Sequence, residues 1–241
     1  MHAEKMAALR ASLSKPGLAD ISARIPLGHR QADLCLKGGL ERGRLHEVFA
    51  LLGHEAAATG FAAGLAARVA AGRHLLWIRQ DFSAHEFGEL SATGFLELGL
   101  DPTRMLLACM RDGADGLRAA HDALSCAALG AVVIEIAGQP KILDLMASRR
   151  LTLACTKKAV TAFLLRLGAQ PDASAAETRW LIRSAASPVG HENWGHPVFE
   201  ASLVRNRRGT TGHWVMEWNC DEGLFQGPTA HRGAVVPAPC D

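Results

Sequence analysis

The sequence predicts an α/β protein, a parallel sheet flanked by helices and extended at one edge by antiparallel C-terminal strands. Three observations carry that expectation. Continuous apolar runs of strand length alternate with runs of helical period, the pattern of a parallel sheet covered on both faces. The stretch from G-R-L-H-E-V-F through A-L-L-G-H-E-A-A-A-T-G-F is laid out as strand, loop and helix, the plan of a phosphate-binding loop. Past Gly168 the residues alternate instead, and two such runs flank R-R-G-T-T-G, a hairpin signal.

In chain order, Met6, Leu9 and Leu13 fall near one face of a short helix within Met1–Leu13. Ser14–Arg44 is rich in turn residues and reads as a lead-in. Leu45–Phe49 is a strand. Glu55–Ala71 is a helix, with Phe61, Leu65 and Val69 at helical spacing; its glycines, Gly60 and Gly64, weaken propensity and permit close packing. His74–Ile78 is a buried strand, Glu86–Leu98 a helix and Arg104–Met110 a strand. Ala114–Leu129 repeats the helical period through Leu117, His121 and Leu124. Ala131–Ile136 is the clearest strand, Lys141–Lys157 a helix and Val160–Leu167 a strand. Thr178–Ala185, Phe199–Asn206 and His213–Asn219 are expected as three antiparallel strands. The division that follows is an N-terminal helix and lead-in over 1–42, a core with its C-terminal extension over 43–222, and a flexible tail over 223–241.

With 241 residues, 49% of them hydrophobic and 21% charged, the chain suits one large globular domain. A net charge of +2 gives no global field toward nucleic acid, so local patches must carry any such contact. The six cysteines form no C-x-x-C pair, and three lie in apolar runs, which favours a reducing compartment. No secretory leader and no membrane-length apolar run is visible. A cytoplasmic protein with no membrane contact is expected.

A phosphate loop needs backbone N–H groups at a helix start, a lysine for the charge, and a hydroxyl for magnesium. Gly53 stands in the loop, and Ala58, Thr59 and Gly60 occupy the register of Gly-Lys-Thr. The ammonium is missing, and Glu55 brings a negative charge near the phosphate position. The loop is therefore degenerate. Glu135, at the end of A-V-V-I-E-I, stands where such a site keeps an acidic residue beside the metal. Its other reading is a strand-end carboxylate paired with an arginine or lysine. Asp81 is either an old catalytic position or a strand-end cap. No catalytic residue is assigned. No cofactor is expected, although ATP with magnesium remains open.

The order G-R-L-H-E-V-F, lysine-free loop, L-L-W-I-R-Q-D, L-G-L-D-P-T-R-M-L-L, G-A-V-V-I-E resembles the core of RecA recombinases. The later S-L-V-R-N-R-R-G-T-T-G-H-W-V-M-E-W is similar to their late hairpin. The lead-in I-P-L-G-H-R-Q-A-D-L-C-L-K-G-G-L-E-R-G, the alanine-rich loop and that hairpin resemble more closely the ImuA-type accessory proteins of bacterial translesion synthesis, grouped with SulA-like SOS proteins. The resemblance covers nearly all of residues 25–225. It implies a RecA-like fold and a non-catalytic role in an SOS-induced mutasome, at damaged DNA. The implied partners are a polymerase-like adaptor and an error-prone replicative-type DNA polymerase, with RecA and DNA open as further partners. Alternatives are a RecA-filament regulator, a SulA-like division inhibitor, and a weak ATPase with a divergent site.

Two basic groups are candidate contacts. Arg149, Arg150, Lys157 and Lys158 lie in a stretch, Lys141–Arg166, that holds one acid, Asp144. They face DNA phosphates or an acidic partner, or form a solvated helix face. Arg205, Arg207 and Arg208 occupy the hairpin, where charge also protects a sheet edge. Trp214 and Trp218 share one face of a strand and are expected to pack the sheet. His191, His196, His213, Cys220, His231 and Cys240 show no compact ligand spacing, so no metal site is expected. Ser187 lacks a nucleophile-elbow context.

Overall fold

A computed structural model describes residues 24–187 and 195–228. The expected helix within Met1–Leu13 lies outside the described residues. The chain opens with β1 (Arg24–Ile25), α1 (Arg30–Cys35) and β2 (Leu40–Glu41). β3 (Leu45–Ala50), α2 (Glu55–Ala70) and β4 (His74–Gln80) follow, then two short helices, α3 (Ser83–Phe87) and α4 (Ala92–Glu97). Next come β5 (Met105–Met110), α5 (Gly113–Ala123), β6 (Leu129–Ala137), α6 (Leu145–Lys158) and β7 (Thr161–Leu167). The described chain ends with β8 (Thr178–Ser184), β9 (Val198–Asn206), β10 (Gly212–Asn219) and β11 (Leu224–Gln226).

Strands β3 to β11 make one nine-stranded sheet in the order β11-β10-β9-β8-β3-β7-β6-β4-β5. From β8 to β5 the neighbours are parallel, and from β8 to β11 they are antiparallel. The α/β class, the helix-flanked parallel sheet and the antiparallel C-terminal strands are as the sequence predicts. One detail differs. β8 is parallel to β3, so it closes the parallel set, and only β9, β10 and β11 run antiparallel to their neighbours. The connection 168–177 carries the chain from the end of β7 back to the other end of the sheet, which puts β8 in the direction of β3.

Helix α2 covers one face. Alanine supplies propensity, Glu55 suits the positive first turn and Arg68 the negative last turn, and Ala71 ends the helix at φ 48°. Phe61, Leu65 and Val69 are fully buried, each worth about 1.5–3 kcal/mol of burial. This core also holds Trp77, Trp180, Trp214, Trp218 and Phe225. Trp214 and Trp218 thus pack the sheet, as expected. The opposite face is covered by α5 and α6, through Ala120, Leu124, Leu151 and Cys155. Burial pushes the Cys155 thiol up to about 12, so it acts as a small apolar side chain.

Three other expectations are revised. The helix expected over Glu86–Leu98 is two helices, because Gly88 takes φ 86° and the chain leaves α3 there. The lead-in is joined to the core: Leu27, Leu36 and Leu40 are buried in it. The span read as a tail from residue 223 begins with β11, where Phe225 is fully buried and packs 4.8 Å from Trp218 and 4.9 Å from Phe61. The Phe225 N–H also donates to the Leu27 carbonyl at 2.9 Å, which ties the two ends together. Residues 229–241 lie outside the described residues.

The two helix glycines have opposite roles. A Cβ on Gly64 would stand 2.9 Å from the Trp218 ring and 3.0 Å from Phe225, whereas one on Gly60 meets nothing closer than 3.6 Å. Alanine gains about 0.8–1 kcal/mol of propensity in a helix interior, and overpacking costs about 1–3 kcal/mol. Gly64→Ala is therefore expected to lower stability by up to about 2 kcal/mol, and Gly60→Ala to raise it by about 0.5–1 kcal/mol. Urea unfolding of the two variants checks this, and a shift of the same sign in both would refute the packing account.

Candidate functional site

In an open, mostly parallel sheet, the C-terminal strand ends are where ligands bind. The turn leaving β3 there is short, Leu51 to His54, and α2 starts at Glu55. Ala58, Thr59 and Gly60 consequently lie in the second turn of the helix, not at its mouth. Gly53 takes φ 89°, and its N–H donates to Glu55 Oε2 at 2.9 Å. A backbone donor of this loop is thus met by the chain's own carboxylate, which also answers the helix dipole. His54 holds the turn to the end of β8, with its Nδ1 accepting the Ser184 N–H at 3.2 Å.

Beside this turn is a cavity of about 210 Å³, lined by Thr59 and Gly60 of α2, Arg79 of β4, Glu135 of β6 and the Gly88–Ser91 connection. Arg79 and Glu135 reach it because β4 and β6 pair in parallel with Trp77 opposite Val133, which brings alternate residues, Trp77 among them, to the α2 face. Arg79 Nη2 donates to Glu135 Oε1 at 3.0 Å and to the Gly88 carbonyl at 3.0 Å. Trp77 Nε1 donates to Glu135 Oε2 at 2.9 Å. The two charged side chains are 3% and 1% exposed, so the pair is buried outright. Both Glu135 oxygens are engaged by this chain's own donors. Of the two readings of Glu135, the geometry favours the carboxylate paired with arginine. Asp81 is exposed, and its N–H continues the β4–β5 pairing by donating to the Met110 carbonyl at 2.8 Å.

The arginine at the end of β4 and the tryptophan two residues before it were not singled out from sequence. The available signal was L-L-W-I-R itself, a charged residue two positions after a tryptophan in a buried run. A second buried network lies around β3. Arg179 Nε donates to Glu47 Oε2 at 2.9 Å, Ser174 Oγ donates to the same oxygen at 2.7 Å, and Arg166 and Arg179 both stand over the Phe49 ring. Burial lowers the Arg166 pKa from its ordinary value, with the Asp172 charge acting against that shift.

The two basic groups are on different elements. Arg149, Arg150, Lys157 and Lys158 are exposed on α6, which packs against β3 and β7. The hairpin lies beyond β8. There Arg208 is committed to structure, pairing with Glu41 at 2.9 Å and Glu177 at 3.1 Å. Arg207 and Arg205 form no ion pair among the described residues, and Arg205 stands opposite Arg179 in the β8–β9 ladder. Glu41 and Glu177, which hold the hairpin to the core, were not visible as partners in the sequence.

Among the described residues, no group of three His, Cys, Asp or Glu side chains could hold a metal ion. His191, His231 and Cys240 lie outside them. Among the same residues, no helix is long and apolar enough to cross a membrane.

Fold and site together define an α/β protein whose strand-end cavity holds an internal ion pair beside a lysine-free, carboxylate-capped turn. Two curated relatives, each named Protein ImuA and from two strains of Caulobacter vibrioides, are 33% identical to the chain over 213 residues, covering 80% of it and 82% of each relative. The chain belongs to the ImuA family. No family model matches it.

Proposed function

We propose that this chain is a non-catalytic accessory factor of damage-induced mutagenesis, which acts by binding a polymerase-like adaptor and an error-prone polymerase at damaged DNA. The observation that carries the non-catalytic half is the Arg79–Glu135 pair. An acidic residue at this strand end serves nucleotide chemistry by ordering a metal and its water. Here both oxygens are held by Arg79 and Trp77, so the guanidinium takes the place of a cation from outside. The loop offers no ammonium in compensation, and Glu55 sits at the helix start. Membership of the ImuA family supports the mutagenesis half. The RecA-like reading of the fold is supported by the parallel sheet, with the loop-bearing strand between β7 and β8.

The test has two arms. In calorimetry with magnesium present, the purified protein is expected to show no ATP binding below millimolar concentration, and no turnover. Micromolar affinity, with hydrolysis lost in Thr59→Val, would sink the non-catalytic half. From DNA-damaged cells, the tagged chain is expected to bring down a catalytically inactive polymerase homologue together with an active polymerase. Recovery of RecA alone, or of a tubulin-like division protein alone, would replace the mutasome role with a regulatory or an inhibitory one.

A further inference from the structure

On the face of the sheet away from α2, α5 and α6 leave between them an open groove of about 500 Å³. Its floor is aliphatic: Ala114 and Leu117 from α5, Ala147 and Leu151 from α6, with Ile142 at one end. Arg118, His121, Asp122 and Arg150 stand at its rim, with Arg118 paired to Asp115, His121 lying 3.6 Å from Asp122, and Arg150 unpaired among the described residues.

The outer surface of α6 continues the same chemistry. Of the twelve large apolar side chains exposed among the described residues, four lie between 142 and 153: Ile142, Leu145, Met146 and Leu153. Met146, Arg150, Leu153 and Lys157 fall on one helical stripe, so apolar and cationic side chains alternate along it. Lys141, Arg149, Arg150, Lys157 and Lys158 form no ion pair among the described residues. The one acid of this stretch, Asp144, is spent capping α6, where it accepts the Ala147 N–H at 2.7 Å. On α5, Asp115 is already engaged by Arg111 and Arg118.

An aliphatic floor bordered on the α6 side by the unpaired Arg150, with the unpaired Arg149, Lys157 and Lys158 beyond it on the same helix, is complementary to one kind of surface: a helix with an apolar stripe bordered by carboxylates. Nucleic acid would use the cations and leave the aliphatic floor unmatched, since its backbone offers phosphates. We infer that the α5–α6 groove docks an acidic amphipathic helix of a partner protein. This goes beyond the role proposed above and rests on no part of it, because the groove lies on the other face of the sheet from the Arg79–Glu135 cavity.

The probe is a fluorescein-labelled peptide of roughly 15 residues, with Leu at helical i, i+3, i+4 and i+7 positions and Glu beside them. It is titrated with the full chain by anisotropy, alongside its Lys-for-Glu counterpart and a DNA duplex. The Glu peptide is expected to bind, and to lose at least about tenfold in affinity in Arg150→Glu and in Ile142→Glu. Both positions are exposed, so the variants should keep their fold, which thermal unfolding checks. In Arg150→Glu the Lys peptide should bind better than the Glu peptide, and Arg205→Glu on the hairpin should change nothing. Failure of the Glu peptide to bind, or equal binding by Ile142→Glu, overturns the inference. So does tight duplex binding that Arg150→Glu abolishes and Ile142→Glu leaves intact, which would make this a nucleic-acid face.

Discussion

Arg79→Ala is expected to cost the fold about 3–5 kcal/mol, a large part of the 5–15 kcal/mol by which a domain of this kind is stable. The guanidinium and the Glu135 carboxylate are 3% and 1% exposed, so neither can turn to water if its partner is removed. Without Arg79, Glu135 keeps only the Trp77 N–H as a donor. Without Glu135, Arg79 keeps only the Gly88 carbonyl, and its Nε and Nη1 already have no hydrogen-bond partner. The double variant Arg79→Met/Glu135→Leu is expected to be more stable than either single truncation, because no charge is then stranded. Urea midpoints of the singles and the double give the coupling directly. A cost below about 1 kcal/mol for Arg79→Ala would mean the pair is open to solvent, leaving the carboxylate free for other work.

A comparable loss is expected on acidification, and it originates at His46. This imidazole is fully buried, and burial is the main cause that pushes its pKa down to about 4. Its hydrogen bonds fit the neutral ring. Nε2–H donates to the Glu41 carbonyl at 3.0 Å, and Nδ1 meets the Thr178 hydroxyl at 2.8 Å, which itself receives the Trp180 N–H at 3.1 Å. An unfolded chain protonates its histidine near 6.5, whereas the native one refuses the proton until about 4. Between those values the unfolded state binds more protons, so stability rises with pH. The contribution is fully present above about 6.5 and is lost as pH falls toward 4, by about 3 kcal/mol in all. His46→Gln should lose about 2–3 kcal/mol less than the parent between pH 7.5 and pH 4.5, although it starts less stable at neutral pH. Equal losses in the two proteins would show that the native ring takes up its proton as readily as the unfolded one, and would remove His46 as the cause.

Much of the sheet was legible in the sequence. β3, β4, β6 and β7 are apolar runs bounded by charge or glycine, and burial on both faces leaves little other use for such runs. The direction of β8 was not legible. Alternation in T-R-W-L-I-R-S reads the same whichever way the strand runs, and the course of residues 168–177 decides it. β11 was hidden by its glycine- and proline-rich surroundings, in which one phenylalanine carries the packing. The break at Gly88 was hidden by hydrophobic spacing that two short helices satisfy as well as one.

The candidate site divides along the same line. The sequence by itself determined that no ammonium stands at the head of α2, that a carboxylate closes β6 and that α6 carries more cations than acids, since these are matters of which residues the chain contains and in what order. Only the tertiary structure decided that the β6 carboxylate belongs to Arg79, that Arg208 is tied to Glu41 and Glu177 while Arg150 is unpaired, and that α6 borders an aliphatic groove. The physical reason is that a buried charge takes its partner from whatever the strand register brings within about 3 Å, and Arg79 and Glu135 are 56 residues apart along the chain.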